Sequence, residues 1–151
     1  VIAGNRATVR RMLDDGELLV IFPEGTPGIG KPFRERYRLR PFRVGHAEIA
    51  LRHRAPVVPV AIIGAEEQWP QIARIDSFRA FGAPYLPIPA TPLPLPVHYH
   101  VWYGAPIRLH ELVSAESADD PVIAEEAAAV VQQAVQALID RGLREREGVF
   151  R

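Results

Sequence analysis

The sequence predicts an α/β fold, a mixed β-sheet with packed helices, and three observations carry that reading. Five apolar residues, Leu18-Leu19-Val20-Ile21-Phe22, read as a buried strand, and Val57-Val58-Pro59-Val60-Ala61-Ile62-Ile63 reads as another, apolar on both faces and so interior. Helix-patterned segments alternate with these runs, as they do where helices cover a sheet. The 151 residues, 48% apolar and 24% charged, have the composition of one globular domain.

In chain order, Asn5 is placed to cap a helix over residues 6–15, with Val9, Met12 and Leu13 on one face and Gly16 as its stop. The first strand follows at once and runs into Pro23-Glu24-Gly25-Thr26, which delivers one carboxylate at the sheet edge beside a flexible backbone. Ligands of α/β sheets bind outside the carboxyl ends of the strands, so Glu24 and Gly25 stand where chemistry is usually placed. Residues 42–54 read as a second helix, with Ala47, Ala50 and Leu51 inward and His46 and His53 toward solvent. Pro59 cannot donate to a ladder, so irregular pairing is expected within the second strand. The step from Gly64 to Pro70 leaves that strand at the same edge as the Glu24 loop if the two strands are parallel.

From Phe78 to Val97 the composition shifts to apolar residues among closely spaced prolines, with no charge after Arg79. Such a segment forms extended, polyproline-like loops whose apolar side chains either fold onto the body of the protein or touch a lipid interface. Residues 98–103 alternate and read as a strand, followed by a turn at Gly104-Ala105-Pro106 and a short continuation over 107–109. Asp120 then caps a helix with Pro121 at its first position. Val130, Val131, Ala134, Val135, Leu138 and Ile139 supply its inward stripe before Gly142.

Net charge is zero, so bulk electrostatics favour neither nucleic acid nor membrane, but the distribution is uneven. Six of the eighteen basic residues, Lys31, Arg34, Arg36, Arg38, Arg40 and Arg43, fall in a stretch whose one acid is Glu35. If that stretch is extended, residues 34, 36, 38 and 40 put four guanidinium groups on one side, either a solvated face or an anion site. The absence of cysteine removes disulfides and thiolate chemistry. The apolar run from Ala55 to Ala65 is too short to span a bilayer and holds two prolines.

Several catalytic patterns fail on their spacing. Gly25-Thr26-Pro27-Gly28-Ile29-Gly30-Lys31-Pro32 comes within one residue of a phosphate-binding loop, but Pro32 replaces the magnesium-ligating hydroxyl and removes an N–H from the cradle. His98 and His100 share a strand face with no third ligand nearby, which reads as an ordinary half-exposed pair in place of zinc ligands. No Gly-x-Ser-x-Gly elbow is present.

The residues that remain carry a resemblance. Phe22-Pro23-Glu24-Gly25-Thr26 is similar to the third sequence block of the glycerolipid acyltransferases, the lysophosphatidate acyltransferase-like family, and the run from Gly30 through Tyr37, the Gly64-Ala65-Glu66-Glu67 step and the proline-rich segment look like a bacterial branch of it. Val57-Val58-Pro59-Val60-Ala61 resembles the family's fourth block, an apolar strand with an internal proline, and Val1-Ile2-Ala3-Gly4-Asn5-Arg6 looks like the tail of the second. The resemblance implies the fold of the glycerol-3-phosphate/lysophosphatidate acyltransferases. It also implies transfer of a fatty acyl group from acyl-CoA or acyl carrier protein, as co-substrate and not cofactor, to a lysophospholipid or related glycerolipid hydroxyl. The implied partners are that lipid acceptor, the acyl thioester and the cytoplasmic face of a membrane, met peripherally, with no nucleic acid and no metal.

By the same resemblance, Glu24, Gly25 and Thr26 order the acceptor, Glu24 directly and Gly25 by letting the backbone approach, while Arg6 pairs with its phosphate. Pro27 stands where many relatives carry an arginine, which leaves that contact to Arg6, Lys31 or the Arg34 and Arg36 pair. The family's general base is a histidine held by an aspartate five positions later, and none of His46, His53, His98, His100 or His110 has one. Residues 1–151 are therefore expected to be the C-terminal portion of a single acyltransferase domain, with no catalytic residue of their own and the dyad upstream of Val1. Two other readings stay open: a catalytically inactive lipid-binding module, and a nucleotide-binding protein that uses Lys31. Glu24 itself can also be a carboxylate that only stabilises its own loop.

Overall fold

The computed structural model describes residues 6–25, 28, 31–75, 85–113 and 120–150. Its elements are α1 (Arg6–Asp14), a 3₁₀ turn (Phe33–Glu35), α2 (Gly45–His53), β1 (Val60–Ile63), α3 (Ala65–Gln68), β2 (Gln71–Ile75), β3 (Leu86–Pro89), β4 (His100–Tyr103), α4 (Leu109–Leu112) and α5 (Pro121–Glu145). Helices and small sheets are mixed, consistent with an α/β fold. Among the described residues, however, the strands form two antiparallel pairs, β1 with β4 and β2 with β3, and not one mixed sheet.

The local signals behind the helices hold. Asp120 Oδ1 accepts from the Val122 N–H at 2.9 Å, and Pro121 supplies a residue that has no N–H to satisfy. Gly16, at φ 75°, closes α1 in a left-handed conformation that only glycine adopts without cost. The expected cap at Asn5 lies outside the described residues. Ala47, Ala50 and Leu51 of α2 are buried against Ala127, Ala128 and Val131 of α5, small side chains that let the two helices approach closely.

The strand at Val57–Ile63 exists but begins later and is not interior. Val60 pairs with Tyr103, Ala61 with Trp102, Ile62 with Val101 and Ile63 with His100. Ala61 and Ile63 are buried, whereas Val58, Val60 and Ile62 face outward, as period-two alternation requires of a sheet covered on one side. The irregularity at Pro59 is present: Val57 forms an isolated bridge to Ile107, and the Pro59 carbonyl accepts from Gly104 N–H at 2.9 Å.

Three further expectations are corrected. Residues 18–22 are not a strand. Leu18, Val20 and Phe22 are 88%, 76% and 76% exposed, and no described segment forms a ladder with them. Apolar composition marks a segment that can pair, but pairing needs a neighbour to take its backbone groups. His46 is buried and His53 half-buried, because α2 is packed on both flanks. Val130 is 37% exposed while Val131 takes the inward position, and α5 runs past Gly142 to Glu145. The proline-rich stretch contributes β3, which zips onto β2 across an irregularity between Gln71 and Ala73.

Gly142 is where α5 meets the sheet. A Cβ there would lie 2.7 Å from Trp102 Nε1 and 2.8 Å from Ile63 Cγ1. Alanine would gain about 1 kcal/mol in helix propensity, but it would overpack a contact made by an indole ring and a buried isoleucine. We expect Gly142→Ala to lower the unfolding free energy by about 1–2 kcal/mol net, read as a fall in the urea midpoint at unchanged slope.

Candidate functional site

The turn that follows Phe22 is built from short-range bonds. Gly25 N–H donates to the Phe22 carbonyl at 3.0 Å and Gly28 N–H to the Gly25 carbonyl at 3.1 Å. Gly25 has φ 62°, so a residue with a Cβ would be strained there. Gly28 is required for another reason: a Cβ on it would fall 2.6 Å from both Cβ and Oε2 of Glu24. The turn therefore folds back over the side chain of its own acid.

Glu24 is held from the other side by Lys31. The Lys31 ammonium, on a residue 8% exposed, stands 3.6 Å from Glu24 Oε2, 2.9 Å from Glu66 Oε1 and 2.9 Å from the Arg38 carbonyl. An ammonium so enclosed needs compensating acceptors, and two carboxylates and a carbonyl supply them. Glu24 Oε2 makes no hydrogen bond among the described residues, so the ion pair alone fixes that oxygen. Glu66 arrives on α3, and its Oε2 accepts from the Tyr37 N–H at 2.7 Å. The step after β1 does meet the Glu24 loop, although residues 18–22 form no strand for β1 to run parallel to.

A second ion network backs the first. Glu67, 3% exposed, takes both Arg146 nitrogens at 2.5 and 2.9 Å, with Arg36 Nε 3.7 Å away. Burial pushes the Glu67 carboxyl up, but the Arg146 hydrogen bonds and charge outweigh it and hold the group below its usual 4.5. The Tyr37 hydroxyl accepts from Gly64 N–H at 2.8 Å, and burial raises its pKa above 10.0. His46 Nδ1 lies 2.7 Å from the Arg43 carbonyl and must be the protonated nitrogen there. Burial, partly countered by that bond, lowers its pKa from 6.5, so the ring is neutral at pH 7.

The predicted site residues are thus unequally placed. Glu24, Gly25 and Lys31 come together. Arg36 turns away to stack 4.4 Å over the Phe33 ring and to face Glu67. Arg34 is exposed beside Glu35, which also pairs with Arg40, so residues 34–40 present no single guanidinium face. The 3₁₀ turn breaks the extended geometry that such a face needs. Arg6 opens α1, and Thr26 lies outside the described residues. Lys31, enclosed by acids, is not presented to a nucleotide. A shallow cleft of about 450 Å³, lined by Gln68, Val97, His98, Tyr99 and His100, does not include Glu24.

Sequence reasoning missed Arg43 as a site residue. A Cβ on Gly25 would lie 3.2 Å from its Cζ, and its N–H donates to the Pro23 carbonyl at 3.0 Å. It was visible as the last member of the basic stretch, but nothing local tied it to a turn eighteen positions earlier.

An acid held on a glycine-supported turn, with cations around it, has the chemistry to accept a hydrogen bond from a polar group. Residues 2–63 match the family model Acyltransferase. That match, with the relative named next, supports the glycerolipid acyltransferase family that the Phe22–Thr26 block implied. Among its relatives, a 1-acyl-sn-glycerol-3-phosphate acyltransferase of Cocos nucifera is 38% identical over 79 residues, covering 52% of this chain and 21% of the relative. Uncharacterised proteins of Mycobacterium bovis and Mycobacterium leprae are 41% and 37% identical over 150 residues, 93% of this chain in each case. The chain spans 42% and 41% of the length of those two mycobacterial relatives. No solved structure matches it significantly.

Proposed function

We propose that this chain forms the acceptor side of a glycerolipid O-acyltransferase. The enzyme would move a fatty acyl group from acyl-CoA or acyl carrier protein to a lysophospholipid or related glycerolipid hydroxyl, in phospholipid biosynthesis or remodelling. The observation that carries this reading is Glu24, fixed by Lys31 on a two-glycine turn inside the segment that matches the acyltransferases.

In the reaction, the acceptor oxygen attacks the thioester carbonyl, a C–O bond forms and the C–S bond breaks. The hydroxyl proton passes to an imidazole and then to the departing thiolate. That imidazole belongs to the His-x-x-x-x-Asp dyad that the resemblance puts before Arg6. Glu24 would accept a hydrogen bond from a polyol hydroxyl, Gly25 would admit the acceptor close to the backbone, and Arg6 and Thr26 would border it. Lys31 is better suited to fix Glu24 than to meet substrate, since its ammonium is enclosed.

Membrane association has two supports. α5 is long and apolar enough to cross a membrane by length and composition, which is consistent with association, although its Ala and Val stripe packs on α2 and β1. Leu86 and Leu93 of the proline-rich segment are exposed, as a peripheral contact on the cytoplasmic face would need.

The test is transfer of a labelled acyl chain from acyl-CoA to lysophosphatidate. Purified 1–151 is expected to give none, and a longer polypeptide of the length seen in the relatives is expected to be active. Glu24→Gln in that polypeptide should lower the rate about 10²-fold through lost acceptor orientation. Transfer by 1–151 alone would overturn the assignment of the base, and an inactive longer polypeptide would overturn the reaction.

A further inference from the structure

Tyr37 carries a backbone conformation that its residue type resists. Its φ is 63°, in the left-handed region where a side chain crowds its own backbone, and such a residue persists only where its surroundings over-determine it. Both ends of Tyr37 are held by the short step that follows β1. The Gly64 N–H donates to its hydroxyl at 2.8 Å, Glu66 Oε2 accepts from its own N–H at 2.7 Å, and the residue is buried in a cluster with Ala61, Ile63 and Ile139.

Glu66 divides its two oxygens. Oε2 takes the Tyr37 N–H, and Oε1 takes the Lys31 ammonium at 2.9 Å. Of the three N–H donors of that ammonium, one goes to Glu66 and another to the carbonyl of Arg38, the residue after Tyr37, at 2.9 Å. Those two bonds set where the ammonium stands. Glu24 Oε2, 3.6 Å from it and with no hydrogen bond among the described residues, is held by that charge. The base of the arrangement is firm, because the adjacent Glu67 is 3% exposed and clamped by Arg146 at the end of α5. One helical turn sends consecutive carboxylates in two directions, Glu67 to the end of α5 and Glu66 to the Glu24 turn.

We infer that Glu66 is a positioning residue for Glu24: acting through Lys31 and braced by the strained Tyr37, it sets the place of the carboxylate that faces the acceptor hydroxyl. The assignment rests on the acyltransferase reading for what Glu24 does, but not for how Glu24 is held. An amide cannot replace Glu66, since only an anion both compensates an enclosed ammonium and makes a charge-assisted bond to a backbone N–H.

The experiment has two arms. In the 151-residue chain, backbone amide resonances are compared between the parent and Glu66→Gln. The Tyr37 amide proton should move upfield as its charged acceptor is lost, and the Glu24 and Gly25 signals should move with it, at a urea midpoint close to that of the parent. Glu66→Asp, which keeps the charge but shortens the reach, should move the same signals less, and it carries the comparison if Glu66→Gln does not fold. Unmoved Glu24 and Gly25 signals overturn the inference, whatever the longer polypeptide does. In that longer polypeptide, Glu66→Gln is expected to lower kcat about tenfold with KM for acyl-CoA unchanged, and to cost nothing further when Glu24 is already Gln. An equal loss in both backgrounds would make Glu66 a general support of the fold and overturn the inference. Coupled amide signals beside an inactive longer polypeptide would count against the reaction and leave the relay to Glu24 standing.

Discussion

Glu67→Gln is expected to lower the unfolding free energy by about 3 kcal/mol, among the largest single effects in the molecule. Glu67 is 3% exposed and meets Arg146 with both oxygens. The amide is nearly isosteric, so little packing is lost, but it offers one oxygen where there were two and no charge. Arg146, partly buried, and Arg36 then keep their charges without a counter-ion, and that imbalance outweighs the lost hydrogen bond. The pH dependence has a defined sign. Because the folded-state carboxyl is held below its usual 4.5, its contribution is fully present above that value and is lost as pH falls through the folded pKa. Urea midpoints measured across the acid range should converge for parent and variant at low pH. A constant difference at all pH values would show that Glu67 acts by shape and not by charge.

Gly28→Ala is expected to lower acyl transfer in the longer polypeptide about 10²-fold with a small change in stability. The added Cβ would sit 2.6 Å from Glu24 Cβ as well as from Oε2, so rotation of the carboxylate alone cannot relieve the clash. Either the turn opens or Glu24 leaves Lys31, and in both cases the acid is displaced by something like an ångström. No apolar residue among the described ones of the turn is buried, so the fold should tolerate the shift. Parallel measurement of kcat, KM and the urea midpoint separates the outcomes: an unchanged kcat/KM would remove Glu24 from the acceptor site, and a collapse of the midpoint would make Gly28 a folding residue.

What could be read from the sequence was what neighbouring residues encode together. Asp120-Pro121 marks the start of α5 because a cap and its N–H partner are two residues apart. Pro59 disturbs β1 through its own missing donor, so that irregularity was legible too. Pairing was not. β1 finds β4 across some forty residues, and no local pattern states that Val60 meets Tyr103 and not a strand at residues 18–22. The same limit hid the site's support. Glu24 and Gly25 were readable from one block, but Lys31 bridging to Glu66, and Arg43 lying over Gly25, are long-range contacts. His46 was misread because the basic residues around it suggest solvent, while the ring itself turns inward to cap a carbonyl.

The exposed run from Leu18 to Phe22 has a colloidal consequence. All five of its side chains are apolar, it contains no charge, and, apart from the Phe22 carbonyl that accepts from Gly25 N–H, its backbone joins no ladder among the described residues and can pair with an extended segment that drifts alongside. Concentrated solutions of residues 1–151 will therefore be governed by self-association at this tract before they are governed by unfolding of the helical core. A lysine in place of Val20 is the change that would keep the solution clear.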